Sequence, residues 1–91
     1  MPYMWSPTDP DVVLAQRCPL PDGDCVEIRL AREARALAYR LAYLRGGECL
    51  LCYEHSAARP HRRMVRGRTA PYDFRSVEQL RYDFERDLEA L

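Results

Sequence analysis

Both histidines of this 91-residue chain, His55 and His61, fall in one stretch that also holds Arg59, Arg62, Arg63, Arg66, Arg68 and Arg75, with Tyr53 just before it and Tyr72 inside it. Histidine titrates near neutrality and serves as general base or general acid. Arginine offers a planar fork of donors that matches phosphate oxygens. Tyrosine donates a hydrogen bond or stacks on a base. Together these residue types suit cleavage of RNA through its own 2′-hydroxyl. That reaction needs a base for the hydroxyl proton, an acid for the leaving oxygen, and positive charge on the phosphate. On this reading His61, His55 and Tyr72 are the candidate catalytic residues. Arg59, Arg62, Arg63, Arg66 and Arg68 are the candidate nucleic-acid-binding residues, and no metal is required. The same residues also suit a solvated basic loop with ordinary histidines.

The four cysteines raise a second chemistry. Cys49-x-x-Cys52 with Cys18 and Cys25 could supply four thiolates to a tetrahedral zinc ion. On a strand, however, residues three apart face opposite sides, so Cys49 and Cys52 are expected to diverge. The spacing also lacks the turn glycines of a zinc knuckle. The cysteines therefore read as reduced thiols acting as small buried hydrophobes, with no metal and no other cofactor expected.

Charge is neutral overall but segregated along the chain. Residues 55–75 carry six arginines against Asp73 alone; residues 76–91 carry five acids against Arg81 and Arg86. A basic segment of this kind can meet phosphates, or it can pair with the acidic tail of its own chain. All 14 basic residues are arginine. The bias extends to ordinary positions such as Arg32 and Arg35, which fits a GC-rich bacterial genome better than selection at one site. No signal peptide or stretch of transmembrane length is visible, so a cytoplasmic protein is expected, with no membrane contact.

The elements that must position these residues read as follows. The length suits one small domain over residues 1–91, with a thin core that a partner or a homodimer contact could supplement. Residues 1–10, broken by Pro2, Pro7 and Pro10, read as an extended arm whose Trp5 packs on the body or at an interface. Asp11 to Cys18 predicts a strand, the Pro19–Gly23 stretch a turn, and Cys25 to Leu30 a half-buried strand with Val26, Ile28 and Leu30 on one face. Residues 31–44 fit two patterns. Leu30, Ala34, Leu37, Leu41 and Leu44 have helical spacing, whereas Leu37, Tyr39, Leu41 and Tyr43 alternate as a strand would. Arg45-Gly46-Gly47-Glu48 is a hairpin turn, and Cys49 to Glu54 a strand. Ser76 to Leu91 predicts a helix: Ser76 can cap Gln79, Gln79 can reach back, and Val77, Leu80, Phe84, Leu88 and Leu91 form an apolar stripe. Glu78, Asp83, Glu85, Asp87 and Glu89 then read as a mostly solvated acidic face.

From Tyr53 onward the chain runs Tyr53-Glu54-His55, then Pro71-Tyr72-Asp73-Phe74, then Ser76, Glu78, Leu80, Asp83 and Phe84 in step. In this order and spacing it resembles the TumE-type toxins of bacterial toxin–antitoxin modules, which have Tyr-Asp-Asn at the first of these motifs. Tyr39-Arg40-Leu41-Ala42-Tyr43 is similar to the strand that precedes them in the family, so the resemblance spans roughly residues 37–91. Its His-Arg-His run falls on Arg62-Arg63-Met64 here, with His61 one place early.

The resemblance implies that residues 37–44 are extended. The expected fold is therefore α+β: an antiparallel meander of four to five strands and a basic loop over 11–74, with the 76–91 helix packed on one face. It further implies a toxin-like protein, acting on RNA as a metal-independent ribonuclease if active. The implied partner is a cognate antitoxin, typically a small helix-turn-helix protein. The alternative is a non-catalytic protein-interaction module of the same fold with a degenerate site.

Overall fold

A computed structural model of the protein describes residues 12–33 and 36–91. The expected arm at residues 1–10, with Trp5, lies outside the described residues, as do Asp11, Ala34 and Arg35.

Six strands follow one another as a single antiparallel meander: β1 (Val12–Pro19), β2 (Cys25–Glu33), β3 (Ala36–Arg45), β4 (Glu48–Ser56), β5 (Arg59–Val65) and β6 (Arg68–Pro71). One helix, α1 (Val77–Ala90), closes the chain. The α+β class and the antiparallel sheet stand as expected, but the strand count is six rather than four to five. The extra strands come from the segment read as a basic loop. Within Arg59–Val65 the side chains of His61, Arg63 and Val65 alternate with those of Arg62 and Met64. This period-two pattern is hidden by charge, because an arginine lays its apolar stem on a sheet as readily as it extends into water. Arg66 and Gly67 then turn the chain with positive φ at both residues (49° and 84°), the geometry whose twist matches that of paired strands.

The contested segment is a strand. Tyr39, Leu41 and Tyr43 oppose His55, Tyr53 and Leu51 of β4 in register, through the Gly46–Gly47 turn. Alternation places these side chains on one face, together with Val26, Ile28 and Leu30 of β2. Local helix propensity is overridden because a strand lets Tyr39, Leu41 and Tyr43 all bury against the same surface.

Helix α1 covers that face. Leu80 and Phe84 join Tyr39, Leu41, Tyr43, Leu51 and Tyr53 in the buried core, with Leu88 and Leu91 packed at its margin. Ser76 caps the helix by accepting the Gln79 amide at 3.0 Å. The expected reciprocal bond does not form: the Gln79 side chain donates to Asp83 at 2.8 Å instead. The acidic face also differs from expectation, since Asp83 is buried and Asp87 half-buried against the sheet. Among the described residues, the opposite face of the sheet carries no helix. It presents Arg40, Glu27, Glu54 and Arg62 over the small buried residues Ala38, Ala42 and Cys52. Among the described residues no helix is long and apolar enough to cross a membrane.

Candidate functional site

Hairpin register brings the two histidines together. Glu54 opposes Arg62, so His55 and His61 lie opposite one another on the helix-covered face, at the point where a bulge in β5 shifts the pairing. Their rings stack in parallel, 3.6 Å between centroids at an interplanar angle of 7°. Tyr39 and Phe74 complete the cluster. The Tyr39 hydroxyl lies 2.8 Å from His61 Nδ1. The Phe74 ring stacks 5.0 Å from His61 and 5.5 Å from Tyr39. His55 Nδ1 is buried without a hydrogen-bond partner.

The electrostatics follow from this packing. Burial, with the neighbouring His55 ring second, holds the His61 pKa below its ordinary value. Burial also raises the pKa of Tyr39, so its phenol keeps its proton. With Nδ1 of His61 engaged by Tyr39, exchange of a proton with any bound molecule falls to Nε2.

Tyr72 lies close by but is committed elsewhere. Its backbone N–H donates to the His61 carbonyl (3.2 Å), while its hydroxyl donates to Asp83 Oδ2 at 2.6 Å, toward the helix. It meets Tyr53 edge to face at 4.8 Å. The Tyr53 hydroxyl in turn donates to Asp87, which also accepts from Arg63 Nε at 2.6 Å. Burial pushes the Asp87 carboxyl up, but the Arg63 and Tyr53 hydrogen bonds outweigh it and hold the carboxyl below its usual range. This network clamps the helix to β4 and β5.

The five candidate arginines do not form one patch. Strand alternation sends Arg63 to the helix face, where Asp87 and Tyr53 hold it. Arg62 goes to the opposite face, where it pairs with Glu54. Arg59 approaches the same carboxylate at 3.6 Å. Arg66 and Arg68 are exposed at the β5–β6 turn and make no ion pair among the described residues. Arg66 is five residues from His61, about 16 Å along a strand at roughly 3.3 Å per residue. His55 and His61 therefore come together, Tyr72 adjoins them through its backbone only, and the arginines scatter over two faces and a turn. Sequence reasoning assigned no role to Tyr39 or Phe74. Their signals were present, in the alternation of β3 and in Pro71-Tyr72-Asp73-Phe74, but neither signal marks a side chain as facing a histidine.

The cysteine expectation needs correction. Cys49 and Cys52 do not diverge: both line one cavity of about 370 Å³ on the face away from the helix, with Arg40, Glu54, Arg62 and Met64. A bulge is the cause. Tyr43 pairs with Leu51 and Leu44 with Cys49, leaving Leu50 as an extra residue that returns Cys49 to the face of Cys52. All four cysteines are free thiols, and Cys18 is exposed on β1. Among the described residues no group of three or more histidine, cysteine or acidic side chains is arranged to hold a metal ion. No family model matches the chain, and neither a curated protein nor a solved structure does.

Proposed function

We propose that the protein is a toxin-like component of a bacterial toxin–antitoxin module that cleaves RNA without a metal, using His55 and His61 as its acid–base pair. The observation that carries this reading is the 3.6 Å stack of the two imidazoles beside Tyr39 and Phe74. Two adjacent imidazoles, one acting neutral as the base and the other protonated as the acid, are the two forms that transphosphorylation requires. The imidazole removes the 2′-hydroxyl proton, the 2′-oxygen attacks phosphorus, and the P–O5′ bond breaks. The imidazolium gives its proton to the departing 5′-oxygen, leaving a 2′,3′-cyclic phosphate and a 5′-hydroxyl. The half-exposed ring of Phe74 would seat a base by stacking. Tyr72 serves as a positioning residue that fixes β6 against His61. The resemblance at residues 37–91 supports the same reading and supplies its partner, a small helix-turn-helix antitoxin.

A second reading has its own support. Arg59, Arg62 and Arg63 are engaged by Glu54 and Asp87, which reduces the positive charge left for phosphate. A non-catalytic protein-interaction module of the same fold would need no such charge. An RNA oligonucleotide with a single ribose linkage, incubated with the purified protein in excess chelator, separates the two. Cleavage to a cyclic phosphate is expected, lowered about 10²–10⁴-fold in His61→Ala and His55→Ala with binding little changed. Intact RNA with the wild-type protein, together with normal growth of a bacterial host expressing it alone, would leave the interaction module as the better reading.

A further inference from the structure

The cavity on the helix-free face holds three sulfur atoms that the histidine chemistry does not use. Cys49 and Cys52 reach it from one strand because of the bulge at Leu50, and Met64 reaches it from β5, directly opposite Cys52. Cys49 and Cys52 thus face the same cavity, and the neighbouring Cys49 thiol helps raise the Cys52 pKa. Burial is the larger cause, and the Cys52 thiol is pushed up to about 12. At rest, then, the Cys52 thiol is protonated. The Cys49 thiol donates to the Leu51 carbonyl at 3.3 Å.

A disulfide does not suit this pair. The chain stays extended across the bulge, and three residues of extended chain span up to about 10 Å, against the roughly 4.4–6.8 Å between Cα atoms that a disulfide tolerates. A bridging ion requires only that the sulfur atoms converge while the backbone stays extended. The donor set also selects the ion. Glu54 lines the same cavity, but its carboxylate is taken by Arg62 and Arg59, so no hard donor is free to complete a tetrahedral zinc site. Two thiolates and a thioether are soft ligands, and they favour a soft ion of low coordination number. The charge balances as well: two thiolates around a monovalent cation leave one negative charge, with Arg40 and Arg62 lining the cavity to meet it.

We infer that Cys49, Cys52 and Met64 form a binding site for a soft monovalent metal ion of the Cu(I) class. Binding replaces two thiol protons with one cation and changes no oxidation state, so it requires no oxidant or reductant. Because those protons must leave, affinity rises with pH. The site lies on the face away from His55 and His61, so its failure and the failure of the RNA-cleaving reading are independent.

The test is anaerobic titration of the reduced full-length protein with Cu(I) held by a coloured bidentate chelator, the chelator's absorbance reporting transfer. One equivalent is expected to move to the protein. Cys49→Ser and Cys52→Ser should each weaken transfer by about 100-fold or more, and Met64→Leu by about 10-fold. Cys18→Ser, on the exposed β1 edge, should behave as wild type. Far-UV circular dichroism of each variant shows whether the sheet is retained, and the half-exposed Cys49→Ser and Met64→Leu carry the test if Cys52→Ser unfolds. Failure of the wild-type protein to withdraw Cu(I) from the chelator would overturn the site. So would a loss in Cys18→Ser as large as that in Cys49→Ser.

Discussion

His61 sits between two influences that act in the same direction: it is half-buried, and a second imidazole lies against its ring. Both disfavour the charged form, so its pKa in the fold lies below the ordinary 6.5. The unfolded chain therefore binds more protons than the folded one just below pH 6.5. The stability linked to His61 is complete above that pH and is lost as the pH falls through the folded pKa. Urea unfolding at pH 7.5, 6.5 and 5.5 should show the wild type losing stability across this window more steeply than His61→Gln, which has no imidazole to protonate. Parallel curves for the two proteins would mean that His61 titrates as it does in the unfolded chain. At this scale the sequence was partly readable. It named His55, His61 and Tyr72, whose residue types suit the proposed chemistry. It did not reveal the stack, which depends on a cross-strand register and a bulge, nor the diversion of the Tyr72 hydroxyl to Asp83. A side chain's partner is a property of the fold, and residue type alone cannot supply it.

Among the elements, the β5–β6 hairpin is the one that sequence patterning missed. Its alternation was obscured by arginines, and its turn lacks the Asn-Gly or Gly-Gly pair that announced the β3–β4 hairpin. Arg66 stands where those sequences place Asn or Gly, and Gly67 alone marked the turn. The helix was readable for the opposite reason: Ser76 and the stripe from Leu80 to Leu91 are local signals that need no partner strand. Gly67 has φ of 84°, and a Cβ there would meet nothing within 4 Å. The effect of Gly67→Ala should therefore be purely conformational, a loss of about 1–2 kcal/mol from forcing an L-residue into the left-handed region. Chemical denaturation should register that loss, and backbone amides of Thr69 and Ala70 should exchange faster with solvent. An unchanged midpoint would indicate that the turn relaxes to a different type without disturbing β6.

Over the whole molecule, the two faces of the sheet are built on different principles. One is sealed by a single helix through Leu80, Phe84 and the Tyr53–Asp87–Arg63 clamp; the other is held by ion pairs among Arg17, Glu27, Arg40, Glu54 and Arg62. The sequence indicated that a basic segment could pair within its own chain, but not that Arg59 and Arg62 would pair with Glu54 while Arg63 pairs with Asp87 of the acidic tail. Adjacent arginines on a strand point to opposite faces, and a charge count along the chain cannot register that. Ion pairs between partly exposed groups contribute little to net stability, so the fold rests chiefly on the sealed face. Phe84 is the largest side chain the helix contributes there, and it meets Tyr53 edge to face at 6.2 Å. Phe84→Ala should cost about 3–5 kcal/mol, a large share of the roughly 5–15 kcal/mol that holds a domain together. At about 4–8 °C per kcal/mol for a chain of this size, the thermal midpoint should drop by some tens of degrees or the cooperative transition should vanish. Tyr82→Ala, on the exposed side of the same helix, is the matched control and should stay within about 0.5 kcal/mol of wild type. A Phe84→Ala protein that melts within a few degrees of the wild type would show that α1 is not what seals the core. The His55–His61 cluster would then have to be held by the β-sheet and Phe74 alone.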